Sequence, residues 1–290
     1  SAFALRSAWS RSFAAPTLFQ RVARQSVSTA VSDQQTLNTP VFVNIVAEGS
    51  RDLKAAVADA WSAGISLGEQ AGRRLDLDFW HYTVDDLIFK EPAQLIVDAA
   101  QAGDPSALDR VHRDPLTGHI ARVTTAFVNG ASLRTWGVDA QLEQRIQLDG
   151  ALLTPSARLN WVGGYSVEDH VRQQRRDAVG YLNDTLPGVR ALPRWRAQLQ
   201  LDGQAGNHRG RLQLNHVDSY RDDTDGDRHI ASHTTLDAHY RWSLDGWSLG
   251  AGVLNLTDRD PPSLRGFLGY DSRTHEPRGR LWYVELNRRI

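Results

Sequence analysis

Alternation with a period of two runs through the last third of this chain, and it constrains the fold more than any single motif. It is carried by Ala197-Gln-Leu-Gln-Leu-Asp202, Arg211-Leu-Gln-Leu-Asn215, Leu236-Asp-Ala-His-Tyr-Arg-Trp242, Trp247-Ser-Leu-Gly-Ala-Gly-Val253 and Leu281-Trp-Tyr-Val-Glu-Leu286. Successive side chains of an extended strand point to opposite faces, so each segment presents one apolar and one polar side. The polar side is as regular as the apolar one: Gln198, Gln200, Asp202, Arg211, Gln213, Asn215, Asp237, His239 and Arg241. A soluble barrel or sandwich encloses its apolar faces. A wall that is apolar toward lipid and polar toward a wet lumen accounts for both sets, and predicts an all-β, antiparallel transmembrane β-barrel.

Bulk properties agree. Mean hydropathy is −0.44, and no run of about 18 apolar residues is present, which excludes a transmembrane helix but not a barrel whose strands are half polar. A net charge of −1 argues against a nucleic-acid partner. The absence of cysteine excludes disulfides, thiolate metal sites and thiol catalysis. The chain opens on Ser-Ala-Phe-Ala-Leu, already strand-like, with no methionine and no leader-type segment. The expectation is a piece of a longer precursor, beginning inside a domain.

Roughly ten strands are predicted, over 2–14, 57–69, 74–89, 119–147, 152–167, 192–204, 208–220, 231–244, 246–257 and 278–290. Their connections alternate strictly between short and long. Short ones fall near Gln70-Ala-Gly-Arg73, Asp149-Gly150, Gln204-Ala-Gly-Asn207 and Asp245-Gly246; long ones cover 15–56, 90–118, 168–191, 221–230 and 258–277. Antiparallel neighbours leave their loops at opposite ends, and outer-membrane barrels have tight periplasmic turns and long outer loops. Both chain ends then lie on the periplasmic side. Segment 119–147 is read as one long strand with a bulge at Gly130, not as a hairpin at Asn129-Gly130. Helices are predicted at Glu48–Ala60 and Pro92–Leu108, both in outer loops. Trp195, Trp242, Trp247 and Trp282 fall near strand ends and are candidates for the membrane interface, where an indole is half apolar and half wet.

Five motifs in order bring a family into view. They are Ser10-Arg-Ser-Phe-Ala-Ala-Pro-Thr-Leu18, then Asn129-Gly-Ala with Gly137-Val-Asp139, then Leu192-Pro-Arg-Trp195, then Val253-Leu-Asn-Leu-Thr-Asp-Arg-Asp-Pro-Pro262 with Gly269-Tyr-Asp271, then Gly279-Arg280 before an alternating terminus. The set resembles the C-terminal half of the barrel of TonB-dependent outer-membrane receptors, with Asn255, Asp258, Pro261, Pro262, Gly279 and Arg280 as family-motif structural residues. The chain departs from the resemblance in ending on Ile290 where the family usually has phenylalanine, and in showing no plug domain or TonB box. On this reading residues 1–290 form part of a barrel of about 22 strands. The resemblance implies a Gram-negative outer-membrane receptor for energy-coupled uptake of a scarce nutrient, most often an iron–siderophore complex. Cobalamin, haem, other metals and glycans stay open as cargoes. The implied partners are the TonB complex acting through a plug, outer-membrane lipid and the barrel-assembly machinery. No cofactor, catalytic residue or resident metal is expected. Alone, the 290-residue piece is expected to be insoluble or misassembled, because its edge strands lack partners.

Candidate sites are few. His170, Arg172, Arg175 and Arg176 form a basic loop cluster that could attract an anionic ligand or lipopolysaccharide phosphates. Asp222-Asp-Thr-Asp-Gly-Asp227 is acidic, but its spacing does not match a calcium loop, and a solvated loop tip is the simpler reading. Two rival classes stay open. A hydrolase could use Asp218, Ser219, His229, His233, Asp237 and His239, with Asp237 and His239 on one face. A passive porin or adhesin would need the same wall and no plug.

Overall fold

The computed structural model describes residues 3–34, 40–70, 72–169, 174–183, 189–223, 226, 228–265 and 269–288. The wall is one sheet of ten long strands, each hydrogen-bonded to the next. In chain order they are β1 (Phe3–Ala14), β4 (Ala56–Gln70), β5 (Arg73–Lys90), β7 (Ile120–Gln144), β9 (Ala151–Asp169), β11 (Trp195–Ala205), β12 (His208–Val217), β15 (His233–Leu244), β16 (Trp247–Leu254) and β17 (Leu281–Arg288). The numbers missing from this path are short strands of the long loops and turns: β2 (Arg24–Ser32), β3 (Pro40–Glu48), β6 (Val111–Arg113), β8 (Ile146–Leu148), β10 (Gln174–Asp177), β13 (Tyr220–Asp222) and β14 (Arg228–Ile230). Every pairing along the ten-strand path is antiparallel, which is the predicted fold class. The path is open, with one neighbour each for β1 and β17. Among the described residues no helix is long and apolar enough to cross a membrane.

The turns alternate as the sequence indicates. Asp245 and Gly246 both have positive φ (48° and 78°) in the two-residue link between β15 and β16. Positive φ at both positions matches the twist of a tight hairpin. Segment 119–147 is one strand followed by the short β8. Its pairing with β5 steps from Leu87↔Ala131 to Ile88↔Asn129, leaving Gly130 as the extra, bulged residue. No hairpin forms there, and Asn129 instead ties the bulge to two other segments. Its amide donates to the carbonyls of Lys54 (3.0 Å) and Asp86 (2.7 Å), and its Oδ1 accepts from the Lys54 N–H at 2.7 Å.

The first long loop corrects the sequence reading. The helix expected at Glu48–Ala60 is absent: Glu48 ends β3 and Ala56 already begins β4. The alanines suggested a helix, but from Ala56 onward the segment pairs with β1 on one side and β5 on the other, which satisfies its backbone groups on both sides. The loop instead holds the β2–β3 hairpin, with β3 lying parallel to the start of β7. The other predicted helix is present as α2 (Ala93–Gln101) and α3 (Pro105–Leu108), counted after a short α1 (Leu18–Val22) whose cap is Thr17 with Gln20. These pieces bury Val31, Val43, Ile45, Ile96, Val97 and Val123 in a small core outside the wall's long-loop end. The fully buried Asp33 carboxylate is held beside it by Arg113 at 2.6 Å and Gln101 at 3.0 Å.

Candidate functional site

Period two sorts the wall into two faces, and their polarity is inverted relative to a soluble protein. Leu199 and Leu201 on β11 are 52% and 41% exposed. Leu5, Trp61, Leu77, Leu142, Leu212, Leu249, Val284 and Leu286 are exposed in the same way. The opposite face holds a continuous polar network. Arg6 donates to Asp78 (Nε–Oδ1 2.8 Å) and Arg74 to Asp76 (2.8 Å). Asn160 bonds Asp139. Arg211 reaches Asp202 (2.8 Å), Asn215 reaches Asp237 (2.8 Å), and Arg241 pairs with Glu285.

Three glycines let these bonds cross a strand. Gly64 lies between Arg6 and Asp78, Gly250 between Arg241 and Glu285, and Gly252 between His239 and Tyr283. A Cβ at Gly64 would overlap both the Asp78 carboxylate and the Arg6 guanidinium, and one at Gly250 would stand 2.5 Å from Glu285 Cγ. Arg6 of β1 and Val217 of β12 line a single cavity of about 660 Å³ with Asp76, Asp139, Arg158 and Gln198. These strands are six steps apart, roughly 29 Å in a flat sheet, so the polar face is the concave one.

Aromatic side chains mark the convex face near both ends. Trp9, Trp61, His81 and Trp136 occupy one cross-strand row, and Trp161 pairs with Trp195 beside it. Trp136 meets Trp161 edge-on at 5.4 Å, and Trp195 stacks on His216 at 4.4 Å. Trp282 is also at the long-loop end, whereas Trp242 and Trp247 flank the short turn, with the Arg288 guanidinium over Trp247 at 4.9 Å. From Trp161 to the next short turn β9 runs about 10 residues, or ~25 Å of height at a ~40° tilt. Trp80 and Trp136 take opposite faces of the wall. The bulge residue Gly163 and the contact of Trp80 with Gly137 put Trp136 outside and Trp80 inside.

The motif near the C-terminus is a clasp. Asn255 and Asp258 take positive φ (50° and 53°). Asn255 closes the turn by bonding Arg259 in both directions at 3.0 Å, and its N–H donates to Asp237 at 2.8 Å. Asp258 Oδ1 then accepts the Arg280 N–H at 2.7 Å. Gly279 leaves room for it, since a Cβ there would stand 2.8 Å from the same oxygen and push the Asp258 carboxylate off this bond. The end of β16 is thereby stitched to the start of β17. Pro261 and Pro262 are half-buried in the segment that follows.

The long-loop end contains one cluster that sequence reasoning did not assemble. Tyr220 is buried among Leu182, Ala191 and Ile230. Its hydroxyl donates to Asp271 Oδ2 at 2.9 Å and meets His275 Nε2 at 3.1 Å. The Asp271 acceptor fixes the proton direction, so His275 carries its proton on Nε2. Burial, then Asp271, raises the Tyr220 phenol well above its ordinary range. Burial, then the neighbouring His233, pushes His275 down to about 4. The stacked rings of Tyr220 and His275 are 6.1 Å apart. Residues 51 and 55 positions apart share no local spacing that would reveal this.

The predicted hydrolytic residues do not converge. Asp237 is occupied by Asn215 and by the Asn255 N–H, while His239 Nδ1 faces Tyr283 at 3.0 Å. Ser219 bonds only its neighbour Asp218 among the described residues. His229 is exposed on β14. Of the basic cluster, His170 and Arg172 lie outside the described residues, as do Thr224, Asp225 and Asp227 of the acidic loop. Arg175 and Arg176 are adjacent on β10 and so take opposite faces, with Arg175 on Ser166. No group of three or more metal-ligating side chains occurs among the described residues.

Comparison with known proteins settles the family. Residues 1–256 match the TonB dependent receptor-like β-barrel family. The chain belongs to that family. The fold also matches solved structures. One is a mutant of the ferric enterobactin receptor PfeA from Pseudomonas aeruginosa (TM-score 0.64, 16% identity, 99% of this chain and 38% of that one). Another is the siderophore receptor PirA from Acinetobacter baumannii (0.63, 14%, 99% and 39%). A third is the outer membrane transporter YddB from Escherichia coli (0.58, 12%, 83% and 34%). The chain therefore spans between a third and two-fifths of the length of these solved proteins. No curated protein matches the sequence.

Proposed function

We propose that this TonB-dependent barrel belongs to a Gram-negative outer-membrane receptor for energy-coupled uptake of a small, scarce nutrient, with a ferric siderophore as cargo. The observation that carries the reading is the inverted wall: exposed leucines and tryptophans outside, a hydrogen-bonded charged face within. The likeness to a ferric enterobactin receptor and a siderophore receptor supports the choice of cargo. The long loops face the outside and the short turns the periplasm. Trp195 and Trp282 then belong to the outer aromatic belt, Trp242 and Trp247 to the inner one. The polar lumen faces a plug, through which TonB acts, and assembly uses the barrel-assembly machinery. His170, Arg172 and Arg176 are the cargo-loop candidates; Arg175 takes the face opposite to Arg176.

The test uses the full-length receptor in a host lacking its own ferric-siderophore receptors. Iron-limited growth on a ferric catecholate should be restored in a TonB-containing strain and not in its TonB-deficient twin. Restored growth without TonB, or leakage of unrelated small solutes, would establish a porin instead. Uptake of cobalamin, haem or a glycan in place of iron would replace the cargo.

A further inference from the structure

We propose that His233 and His275 bind a zinc-like divalent cation, and that the bound ion ties the last long loop to the top of β15. His233 opens β15, opposite Val217 of β12. His275 lies in the connection between β16 and β17, in a turn that Asp271 builds. The Asp271 carbonyl accepts the His275 N–H at 3.0 Å, and its Oδ1 accepts the Arg273 N–H at 3.0 Å. The turn brings the two imidazoles together edge to face, with ring centres 5.2 Å apart. They are 8% and 5% exposed. Both line one cavity of about 260 Å³ with the lumen-facing Asn215, Thr235 and Asp237.

Both Nδ1 atoms are buried without a hydrogen-bond partner among the described residues. A buried polar atom left unpaired is rare and calls for an occupant. His275 shows which kind. Its Nε2–H donates to the Tyr220 hydroxyl, which donates onward to Asp271 Oδ2. Nδ1 therefore carries no proton and offers a lone pair. Metal-bound imidazoles are held in this way, the second nitrogen donating into a partner that fixes tautomer and ring orientation. Burial lowers the proton affinity of both rings, so neither is charged at neutral pH.

The spacing matches a shared ion. Two imidazoles on one tetrahedral Zn²⁺, with each nitrogen about 2.0–2.1 Å from the metal, have ring centres roughly 5 Å apart. The carboxylates on the cavity are used elsewhere: Asp237 accepts from Asn215 and from the Asn255 N–H, and Glu276 pairs with Arg278 at 3.0 Å. Arg259 reaches away to the Ser232 carbonyl at 3.4 Å. The ligand set is two neutral nitrogens with open positions for water. It selects Zn²⁺, Ni²⁺ or Cu²⁺ over the oxygen-seeking Ca²⁺ and Mg²⁺.

The site rests on no choice of cargo. The full-length receptor would be stripped with a chelator and titrated with ZnCl₂ by isothermal titration calorimetry. The unaltered receptor should take up Zn²⁺, and excess Ca²⁺ should not displace it. His233→Gln and His275→Gln should each weaken that binding by roughly a hundredfold, and Tyr220→Phe, which keeps both ligands, by about tenfold. The exposed His229 serves as control, and His229→Gln should bind as tightly as the unaltered receptor. All four variants should keep the heat-resistant mobility of a folded barrel. Zinc-edge X-ray absorption of the loaded, unaltered receptor should count two imidazole nitrogens, a reading that needs no variant. Absence of Zn²⁺ uptake, undiminished binding by both histidine variants, or absorption without imidazole would overturn the site and leave a buried water as the occupant. Displacement by Ca²⁺ would overturn it in favour of a carboxylate site elsewhere.

Discussion

Placing one arginine on each face of β11 separates a membrane wall from a soluble sheet. Leu199 is 52% exposed and lies between Ala157 and Leu214, well clear of both strand ends. If that exposure is to hydrocarbon, Leu199→Arg puts a guanidinium near mid-bilayer at a cost of about 2–4 kcal/mol. Taking about 3 kcal/mol, the folding equilibrium falls by roughly 150-fold. Gln200 is adjacent but belongs to the lumen face, where it bonds Asp202 beside Arg211. Gln200→Arg adds a charge to a wet surface and should change stability by less than about 0.5 kcal/mol. The measurement is urea unfolding of the full-length receptor in phospholipid vesicles, followed by tryptophan fluorescence. A soluble sheet with Leu199 in water would tolerate Leu199→Arg within about 0.5 kcal/mol. Equal effects of the two substitutions, or a larger loss for Gln200→Arg, would refute the inverted wall.

Three further outcomes follow from local geometry. Gly252→Ala forces the Tyr283 ring away from His239 and should cost about 1–3 kcal/mol in the same unfolding assay, whereas Gly210→Ala, with nothing within 4 Å, should not. Asn183 is buried at φ 62° and donates to the carbonyls of Ala178, Tyr181 and Arg190. Asn183→Ala should cost about 2–4 kcal/mol locally and open the 178–194 loop to proteases, with Asn183→Gly milder because it removes only the bonds and not the backbone fit. His275 has its folded pKa depressed to about 4 from about 6.5, so the closed Tyr220–Asp271–His275 cluster is fully stable above about pH 6.5 and weakens as pH falls toward 4, by up to about 3 kcal/mol. Hydrogen exchange around Tyr220 and Asp271 should accelerate over that window, and His275→Phe should shrink the pH step to the smaller part carried by the neighbouring His233, which burial also holds below its ordinary range.

The spanning strands were legible because period two is a local property: the predicted segments coincide with the ten strands of the path, and Gly130 is the bulge it was read to be. The first long loop was not. Gln25-Ser-Val-Ser-Thr-Ala-Val31 alternates as clearly as any wall strand, yet whether such a segment spans lipid or folds back as a hairpin depends on which strand it pairs with. The helix expected at Glu48–Ala60 failed for the same reason, because two neighbouring strands outweighed a weak helical preference. Among site residues, the Asn255–Asp258–Gly279–Arg280 set was visible as a motif, but its role as a clasp needed the 2.7 Å bond between segments 22 residues apart.

Alternation by itself determined that this chain makes strands with two unlike faces, since side-chain direction in a strand follows from chain geometry alone. Which face is concave, where Arg6 meets Asp78, which way Trp136 points past the bulge at Gly163, and how Tyr220 finds His275 were decided only by tertiary structure. Those outcomes depend on register and curvature, and both are set by contacts between segments far apart in sequence.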